Sequence, residues 1–265
     1  AHVQSLERDA GARLFERQSG RQAVLTEVGR SFLSHARDLA ERMARMEADV
    51  AGRRGAAPAQ VAICCQRSLA HTTLRAPLAS FASGHRDIRL SIRIAFQEEV
   101  IAAVRMGAAD LGCLLSNDEI PGLPSVLVGR ERFVVFCAPD HPLAGRKRVP
   151  PADLMAHRFV APVPSSMFGR TQAKLLASLG LDRIDVAAEA TEFSTVRDLG
   201  VAGLGVCTSI LPSVQPDLEA GRLTLVDLDA PPLFLDMRLL FNPQTRGAEP
   251  VRKLAEHLRE TLASR

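Results

Sequence analysis

Thiols are the side chains in this sequence with the greatest capacity for redox or metal chemistry, and five cysteines occur among its 265 residues. They lie within or at the ends of apolar runs and show no C-x-x-C spacing, which a metal site or a redox pair would favour. These cysteines are Cys64, Cys65, Cys113, Cys137 and Cys207. We predict reduced, buried thiols, with the vicinal Cys64 and Cys65 as the candidates for a redox or metal role. Adjacent residues of a strand point to opposite faces, which disfavours a disulfide between these two.

Motifs that would indicate an enzyme are missing from the sequence. It contains no H-E-x-x-H, no Walker loop, no G-x-S-x-G and no dinucleotide-binding G-x-G-x-x-G. The Gly-Leu-Gly at residues 203–205 follows a predicted helix and precedes a strand, the reverse of the order in nucleotide-binding folds. We therefore expect no catalytic residues, no metal site and no cofactor.

The composition is that of a globular protein that can bury a sizeable core. Hydrophobic residues make up 46% of the chain, and the formal net charge is +3, with a sequence pI near 8.8. This mild basicity does not separate a DNA-binding protein from an ordinary enzyme. Apolar runs are too short to span a membrane, and the first residues lack an apolar signal core. We expect a cytoplasmic protein without membrane contact.

A long amphipathic helix is predicted near the N-terminus. Glycine is absent from residues 31–51, and apolar residues recur there at alternating steps of four and three. These residues are Phe32, Ala36, Leu39, Met43, Met46 and Val50. Such a heptad pattern predicts a helix of roughly 25 residues, or about 40 Å, whose apolar face packs on its copy in a second subunit. Packing of the helix on its own domain is the alternative.

Strands and helices alternate after a linker at residues 52–60 that contains glycine and proline. Strand-like apolar runs are separated by helical stretches, first over residues 61–115 and again over residues 133–210. The expected elements include helices at Ala70–Ser83 and Thr195–Ala202 and a strand at 157–162. This order predicts parallel strands with crossover helices, and the two rounds predict two βαβ lobes. A last strand at 234–241 and an amphipathic helix at 250–262 are expected to return to the first lobe. A ligand cleft should then lie between the lobes, at the carboxyl ends of the strands.

The N-terminal segment resembles the second half of the LysR-type DNA-binding domain. It contains a Leu-Glu at Leu6, followed by Gly11, and a Leu-Phe-x-Arg that includes Phe15. A short basic loop comes next, and then a Leu-Thr-x-x-Gly that includes Thr26 and Gly29. Further features of the family follow in order at residues 104–112, 138–144 and 201–206. The resemblance covers essentially the whole chain.

As a member of this family the chain would be a bacterial transcription regulator of the α/β class. The resemblance implies a partial winged helix-turn-helix at residues 1–26, a linker and dimerisation helix at 27–55, and an effector-binding domain at 60–265. That domain would resemble a type 2 periplasmic-binding protein, with lobe I over about 60–130 and 237–265 and lobe II over about 131–236. The expected partners are double-stranded operator DNA, a small-molecule effector and further copies of the chain, as a dimer or tetramer. RNA polymerase is a further candidate partner.

The resemblance also implies which residues contact DNA. It places His2 and Gln4 on the recognition helix, together with wing residues that reach phosphates or the minor groove. The wing residues are Arg17, Ser19, Arg21 and Gln22. Thr26 would cap the linker helix, and Gly29 would allow close packing in its first turn. Because the family's domain begins with two further helices, we expect about thirty residues to be missing before Ala1, and weak operator binding by this chain.

Effector-binding residues in this family follow the first strands of each lobe, and the resemblance transfers that place to nine residues here. They are Ser68, Gln97, Ser116, Ser165, Ser166, Phe168, Phe193, Ser194 and Thr195. Hydroxyl groups beside helix N-termini suit a carboxylate or a similar anion, because backbone N–H groups and the helix dipole supply positive potential. Helix capping is the alternative for each serine and threonine. Arg67 and His71 could add positive charge, and the long amide of Gln97 would narrow the pocket.

Two other functional classes compete with this interpretation. A two-lobed solute-binding protein without a DNA role would account for residues 60–265, but the heptad helix and the odd number of cysteines count against it. An enzyme would need a catalytic motif, which the sequence lacks. Under the regulator hypothesis, effector binding changes the angle between the lobes and hence the spacing of the DNA-binding heads.

Overall fold

The computed structural model describes residues 2–16, 23–33, 35–36, 39–40, 43 and 59–263. Contacts within it divide the chain into two units, Ala1–Ala59 and Gln60–Arg265. Within the described residues, no helix is both long enough and apolar enough to cross a membrane.

The first unit begins with helix α1 (His2–Asp9) and continues into a two-stranded antiparallel sheet of β1 (Phe15–Glu16) and β2 (Val24–Leu25). Gly11 has a φ of +65°, a left-handed conformation that glycine adopts at little cost, and it lies in the turn that ends α1. The chain between β1 and β2, where the wing is predicted, lies outside the described residues apart from residue 23.

Helix α2 is the linker helix, and its described residues 27–33, 35–36, 39–40 and 43 are helical. The Thr26 hydroxyl accepts a hydrogen bond from the Gly29 N–H at 2.8 Å and donates one to the Arg13 carbonyl oxygen at 2.8 Å. A Cβ atom on Gly29 would lie 2.9 Å from the carbonyl carbon of Leu14 and nearer still to its oxygen. The predicted cap and the predicted close packing are therefore confirmed, while the rest of the 27–55 helix lies outside the described residues.

In the second unit, nine strands of the described chain form one mixed sheet. The strands are β3 (Ala59–Gln66), β4 (Ile88–Ala95), β5 (Leu111–Leu115), β6 (Ser125–Cys137), β7 (Arg158–Pro162), β8 (Asp185–Ala190), β9 (Val206–Ile210), β10 (Thr224–Leu225) and β11 (Leu233–Phe241). Their order in the sheet is β4-β3-β5-β11-β6-β9-β7-β8, with β10 paired to β6.

Two long strands join the lobes of this unit. Lobe I is built on β3, β4 and β5, of which β3 and β5 are parallel. Lobe II is built on β7 to β10, and β7 is parallel to both β8 and β9. β6 and β11 are antiparallel to each other, and they pair with β9 of lobe II and with β5 of lobe I, respectively. The chain therefore crosses between the lobes twice, as expected from the return of the last strand.

The helices of the second unit depart from the predictions in two places. They are α3 (Arg67–His71), α4 (Arg75–Gly84), α5 (Gln97–Arg105), α6 (Met167–Ala177), α7 (Phe193–Val201), α8 (Leu211–Glu219) and α9 (Glu249–Ala263). A single helix from Ala70 to Ser83 is wrong, because the chain turns at residues 72–74 between α3 and α4. α8 was not predicted. Pro212 stands in its first turn, where a missing N–H is tolerated, but Pro216 lies inside the helix and removes the usual helical signal.

Apolar clusters lie on both faces of the sheet. Cys65 packs into one core of lobe I, which includes Phe81, and Cys64 packs into the core on the other face, which includes Val100. The vicinal thiols thus point in opposite directions, and all five cysteines are buried and outside any disulfide among the described residues. Burial raises the pKa of the Cys113 thiol to about 12, so this thiol stays protonated near neutral pH.

Candidate ligand-binding cleft

A cleft with a volume of about 400 Å³ lies between the two lobes of the second unit. Its walls form where β3 and β4 of lobe I, and β7, β8 and β9 of lobe II, run into the segments that follow them. Larger depressions of about 690 and 890 Å³ lie along β6 and β11, and the larger of them also includes Leu211 and Pro212, which follow β9. We assign the site to the cleft because strand ends of both lobes converge there, and its volume suits a small metabolite.

Two glutamines hold the lobe I wall in place. Gln66, at the end of β3, accepts a hydrogen bond at 2.8 Å from the Leu115 N–H through Oε1. Gln97, the first residue of α5, donates through Nε2 to the carbonyl oxygen of Leu115. Both glutamines are buried, at 7% and 3% exposure. The end of β5 therefore fixes two amide side chains in the wall of the cleft.

Three oxygen atoms in the cleft walls are buried without a hydrogen-bond partner among the described residues. They are Ser68 Oγ and Gln97 Oε1 in lobe I and Ser213 Oγ in lobe II. A buried polar atom without a partner destabilises a protein by roughly 1–3 kcal/mol. Because such atoms are uncommon in folded proteins, their convergence on one cleft points to a binding site.

The helices that begin in lobe II differ in how their first N–H groups are bonded. In α6, the Ser166 hydroxyl accepts a hydrogen bond from the Gly169 N–H at 2.9 Å, and the Glu98 carboxylate of lobe I accepts one from the Met167 N–H. At the starts of α7 and α8, no described residue forms a side-chain cap hydrogen bond. A helix N-terminus carries partial positive charge, so the first backbone N–H groups of α7 and α8 are able to bind an anionic group.

Ion pairs connect the lobes around the cleft. Pairs found among the described residues are Arg67 with Glu192 at 3.5 Å, Arg170 with Glu98 at 3.8 Å and Lys174 with Asp118 at 2.7 Å. All of these side chains are well exposed, and exposed pairs contribute about 1 kcal/mol or less each. Such pairs can break and re-form at low cost, as a change in the angle between the lobes would require.

The structure brings six of the nine predicted effector residues to the cleft. They are Ser68, Gln97, Ser166, Phe168, Phe193 and Ser194. Arg67 and His71, named from the sequence as sources of charge, also line it. The Arg67 guanidinium lies 5.2 Å from the centroid of the Phe96 ring, which helps to hold it beside the cleft. Ligand contact by these residues stays a prediction.

The other three predicted residues do not line the cleft. The Ser116 hydroxyl donates to the carbonyl oxygen of Asp118 at 2.7 Å and so stabilises the turn after β5. Ser165 is exposed in the loop before α6. Thr195 is exposed on α7, because that helix begins at Phe193 rather than at Thr195, so Thr195 is not at the strand-to-helix junction.

Sequence reasoning missed several residues of the lobe II wall, among them Arg197, Thr208 and Ser213. Arg197 lies four residues after Phe193 on α7, and this helical spacing could have revealed it. Ser213 was missed together with α8. Thr208 lies inside β9 and accepts a hydrogen bond from Gln172 Nε2. This contact joins distant segments, so no local motif predicts it.

The predicted DNA-binding residues are described only in part. Gln4 is exposed on α1, and His2 lies in the same helix. The four wing residues lie outside the described residues, and their contact with DNA stays a prediction. They are Arg17, Ser19, Arg21 and Gln22.

Comparison with known proteins places this architecture in a family. The RuBisCO operon transcriptional regulator of Allochromatium vinosum is 27% identical to the chain over 252 residues, which cover 92% of the chain and 79% of that regulator. OxyR of Corynebacterium glutamicum, solved with hydrogen peroxide bound, superposes with a TM-score of 0.68 at 20% identity, over 99% of this chain and 82% of OxyR. The regulatory domain of CcmR from Synechocystis, in complex with 2-PG, gives a TM-score of 0.69 at 16% identity, over 77% and 97% of the two chains.

The two solved structures establish a common fold, because identity at this level supports no closer statement. The family assignment rests on the sequence match, which extends from the linker helix to the end of α9. The model of the LysR substrate binding domain matches residues 35–263. The chain therefore belongs to the LysR family of transcriptional regulators and contains its substrate-binding domain.

Proposed function

We propose that this regulator binds a small anionic metabolite between its lobes and that binding alters the interaction of a homo-oligomer with operator DNA. The observation that carries the proposal is the meeting of two unlike walls around about 400 Å³. The lobe I wall holds two buried oxygens without partners among the described residues, and the lobe II wall holds a third, Ser213 Oγ, together with two helix N-termini that no described side chain caps. Because the relatives are transcription regulators, we assign the cleft to sensing rather than to turnover.

The positive potential for an anion would come from the backbone. The charged lining residues Arg67 and Arg197 already contact carboxylates, at 3.5 Å from Glu192 and 2.8 Å from Asp198. α7 and α8 are nine residues long, which is enough for a helix dipole to develop. A carboxylate or phosphate group near their first turns would accept hydrogen bonds from backbone N–H groups. The complex of CcmR with 2-PG supports a small-molecule ligand in this fold.

Coupling of effector binding to DNA binding would depend on a change in the angle between the two lobes. Two strands, β6 and β11, connect them, and the ion pairs across the cleft are individually weak. A ligand that contacts both walls favours one lobe angle over others. At saturation, the equilibrium between two lobe angles shifts by the ratio of the ligand's affinities for them. In an electrophoretic mobility assay with the DNA beside its own gene, the tightest-binding anion should change the DNA affinity or the complex formed. Identical binding curves with and without that anion would contradict the coupling.

Self-association is proposed through α2. Leu39 and Met43 of the heptad pattern are 58% and 60% exposed, an apolar exposure that packing on a second copy would remove. Light scattering should find a dimer or tetramer for the chain and a smaller species for Leu39→Glu and Met43→Glu. Ala40→Glu, one residue away on another face of the helix, is the matched control and should keep the oligomer. A monomer in the unsubstituted chain would contradict the proposed self-association. RNA polymerase is a further candidate partner of the assembled regulator.

The anion site is tested by a substitution that removes one backbone N–H. Phe193 is the first residue of α7, where proline is tolerated because the preceding Glu192 is extended, with φ −103° and ψ 130°. Phe193→Pro and Phe193→Ala both remove the aromatic ring, but only the proline variant also removes the N–H donor. Carboxylates and phosphates that raise the melting temperature of the chain should bind Phe193→Pro about tenfold more weakly than Phe193→Ala. Equal affinities would contradict an anion at α7.

A further inference from the structure

We propose that Gln97 makes the cleft selective for effectors that carry a hydroxyl or amino group in addition to their anionic group. The inference rests on the proposed function, since it takes the cleft as the effector site. It adds the chemical class of the effector: a hydroxy acid or an amino acid, or a phosphate ester with a free hydroxyl, rather than a simple carboxylate.

The orientation of the Gln97 amide is fixed by Leu115. The Leu115 carbonyl oxygen accepts a hydrogen bond from Gln97 Nε2, and the Leu115 N–H donates to Gln66 Oε1 at 2.8 Å. If the Gln97 amide were reversed, Oε1 would face the Leu115 carbonyl oxygen, and two acceptors would be in contact. The bond to Leu115 therefore commits Nε2 to the protein and leaves Oε1 as the free end of the amide.

The free oxygen requires a donor. Gln97 Oε1 is buried and accepts no hydrogen bond from any residue in the described part of the chain. An amide oxygen can only accept, so a ligand satisfies it with an O–H or N–H group, whereas a carboxylate or phosphate oxygen would be repelled. The oxygen lies on a residue that is only 3% exposed. The donor must be small, as a hydroxyl or an ammonium group is.

Ser68 provides a second buried atom that a ligand can satisfy. Its Oγ is also buried and without a partner among the described residues, and Ser68 lies in the first turn of α3, after β3, as Gln97 lies in the first turn of α5, after β4. A ligand hydroxyl can donate to Gln97 Oε1 and accept from the Ser68 hydroxyl, which satisfies both atoms together. An ammonium group can donate to both. A group with acceptors alone can satisfy Ser68 but not Gln97.

The two walls thus favour different chemical groups of one ligand. Lobe II offers N–H donors at the starts of α7 and α8, which suit the anionic end of the ligand. Lobe I offers an obligatory acceptor at Gln97, which suits the hydroxyl or amino end. A ligand bound in this direction bridges the lobes, and both ends contribute to the affinity.

The experiment measures discrimination within matched pairs of small acids. The intact chain is titrated by calorimetry with malate and succinate, lactate and propionate, and 4-hydroxybenzoate and benzoate. In any pair that binds, the hydroxylated member should bind about tenfold more tightly, because the other leaves a buried acceptor unsatisfied. In Gln97→Met, which keeps the length of the side chain but has no amide oxygen, the ratio should fall to about threefold or less.

A matched control separates recognition from loss of stability. Gln172 is also 3% exposed and donates through Nε2 to Thr208, but it does not itself line the cleft. Gln172→Met should lose stability and keep the tenfold ratio. If Gln97→Met fails to fold, Ser68→Ala should lower the ratio of affinities between the hydroxylated acid and its partner without the hydroxyl. The substitution removes the second protein group that contacts the ligand hydroxyl.

The outcomes distinguish this inference from the proposed function. If acids bind but both members of each pair bind equally, or if Gln97→Met keeps the tenfold ratio, Gln97 is not a selectivity residue and the anion site stands. If no acid of the panel binds at millimolar concentration, the anion site is contradicted, and the inference fails with it.

Discussion

Replacement of Gly169 by alanine should destabilise the lobe II wall of the cleft. Gly169 is buried in the first turn of α6, where its N–H donates to the Ser166 hydroxyl at 2.9 Å. A Cβ atom there would lie 3.0 Å from the carbonyl carbon of Val163, nearer still to its oxygen, and 3.1 Å from Ser166 Oγ. The obstacle is backbone rather than a flexible side chain, so the start of α6 must move by about 1 Å to reach normal contact distances.

The size of the effect follows from three contributions. Overpacking of this kind destabilises by about 1–3 kcal/mol, and the weakened serine cap adds about 1 kcal/mol. The higher helix propensity of alanine offsets up to about 1 kcal/mol, which leaves a net loss of about 1–3 kcal/mol. For a unit of this size, that loss lowers Tm by roughly 3–10 °C. The same movement displaces Ser166 and Phe168 from the cleft wall, so anion binding should weaken as well.

Thermal unfolding followed by circular dichroism measures the change, with Gly84→Ala as the control. Gly84 ends α4, and a Cβ atom there would meet no atom of the described chain within 4 Å. The control should keep Tm within about 2 °C of the unsubstituted chain. Equal Tm values for Gly169→Ala and Gly84→Ala would refute the close approach of α6 to Val163.

Two further predictions concern a buried carboxylate and the buried thiols. Asp217 Oδ1 accepts hydrogen bonds from Arg222 Nε and Nη2 at 2.9 and 2.6 Å. Asp217→Asn should therefore lower the free energy of unfolding in urea by about 1.5–3 kcal/mol, against less than about 0.5 kcal/mol for the exposed control Asp198→Asn; equal losses would contradict this role. Burial raises the pKa of the Cys113 and Cys207 thiols from 9.0 to about 12, so unfolded thiols lose their protons first as the pH rises. Their contribution to stability is present below pH 9 and falls between pH 9 and 12, and urea unfolding that is unchanged between about pH 8 and about pH 10.5 would argue against it.

Much of the second unit could be predicted from the sequence, because residues that face a core must recur with the period of their element. The strand expected at 157–162 is observed at Arg158–Pro162, and the last helix, expected at 250–262, is observed at Glu249–Ala263. Prediction failed where a local signal conflicted with the final structure. Pro216 lies inside α8 and made the sequence of that segment look non-helical. A turn at residues 72–74 interrupts a segment whose composition predicts one continuous helix.

Local chemistry in the first unit was predictable for a similar reason. Thr26 and Gly29 lie three residues apart, so the cap between them forms within one turn of helix and needs no distant partner. The family assignment depends on such short motifs and on their order along the chain, which the sequence alone contains. The two-lobed plan and the place of the cleft follow from the same information, since strand ends in open α/β sheets are where ligands bind.

Only the tertiary structure decides which polar groups in the cleft still lack a partner. A hydrogen bond needs its two heavy atoms within about 3 Å, and the atoms that meet here come from segments far apart in the chain. Ser116 follows a strand as Ser68 does, yet its hydroxyl is bonded to the Asp118 carbonyl, while Ser68 Oγ is buried without a partner in the described residues. Gln97 becomes an obligatory acceptor only because Leu115 binds the other end of its amide. The sequence by itself determines the family, the lobes and the residues near the cleft, and the packing of distant segments decides what those residues have left to offer a ligand.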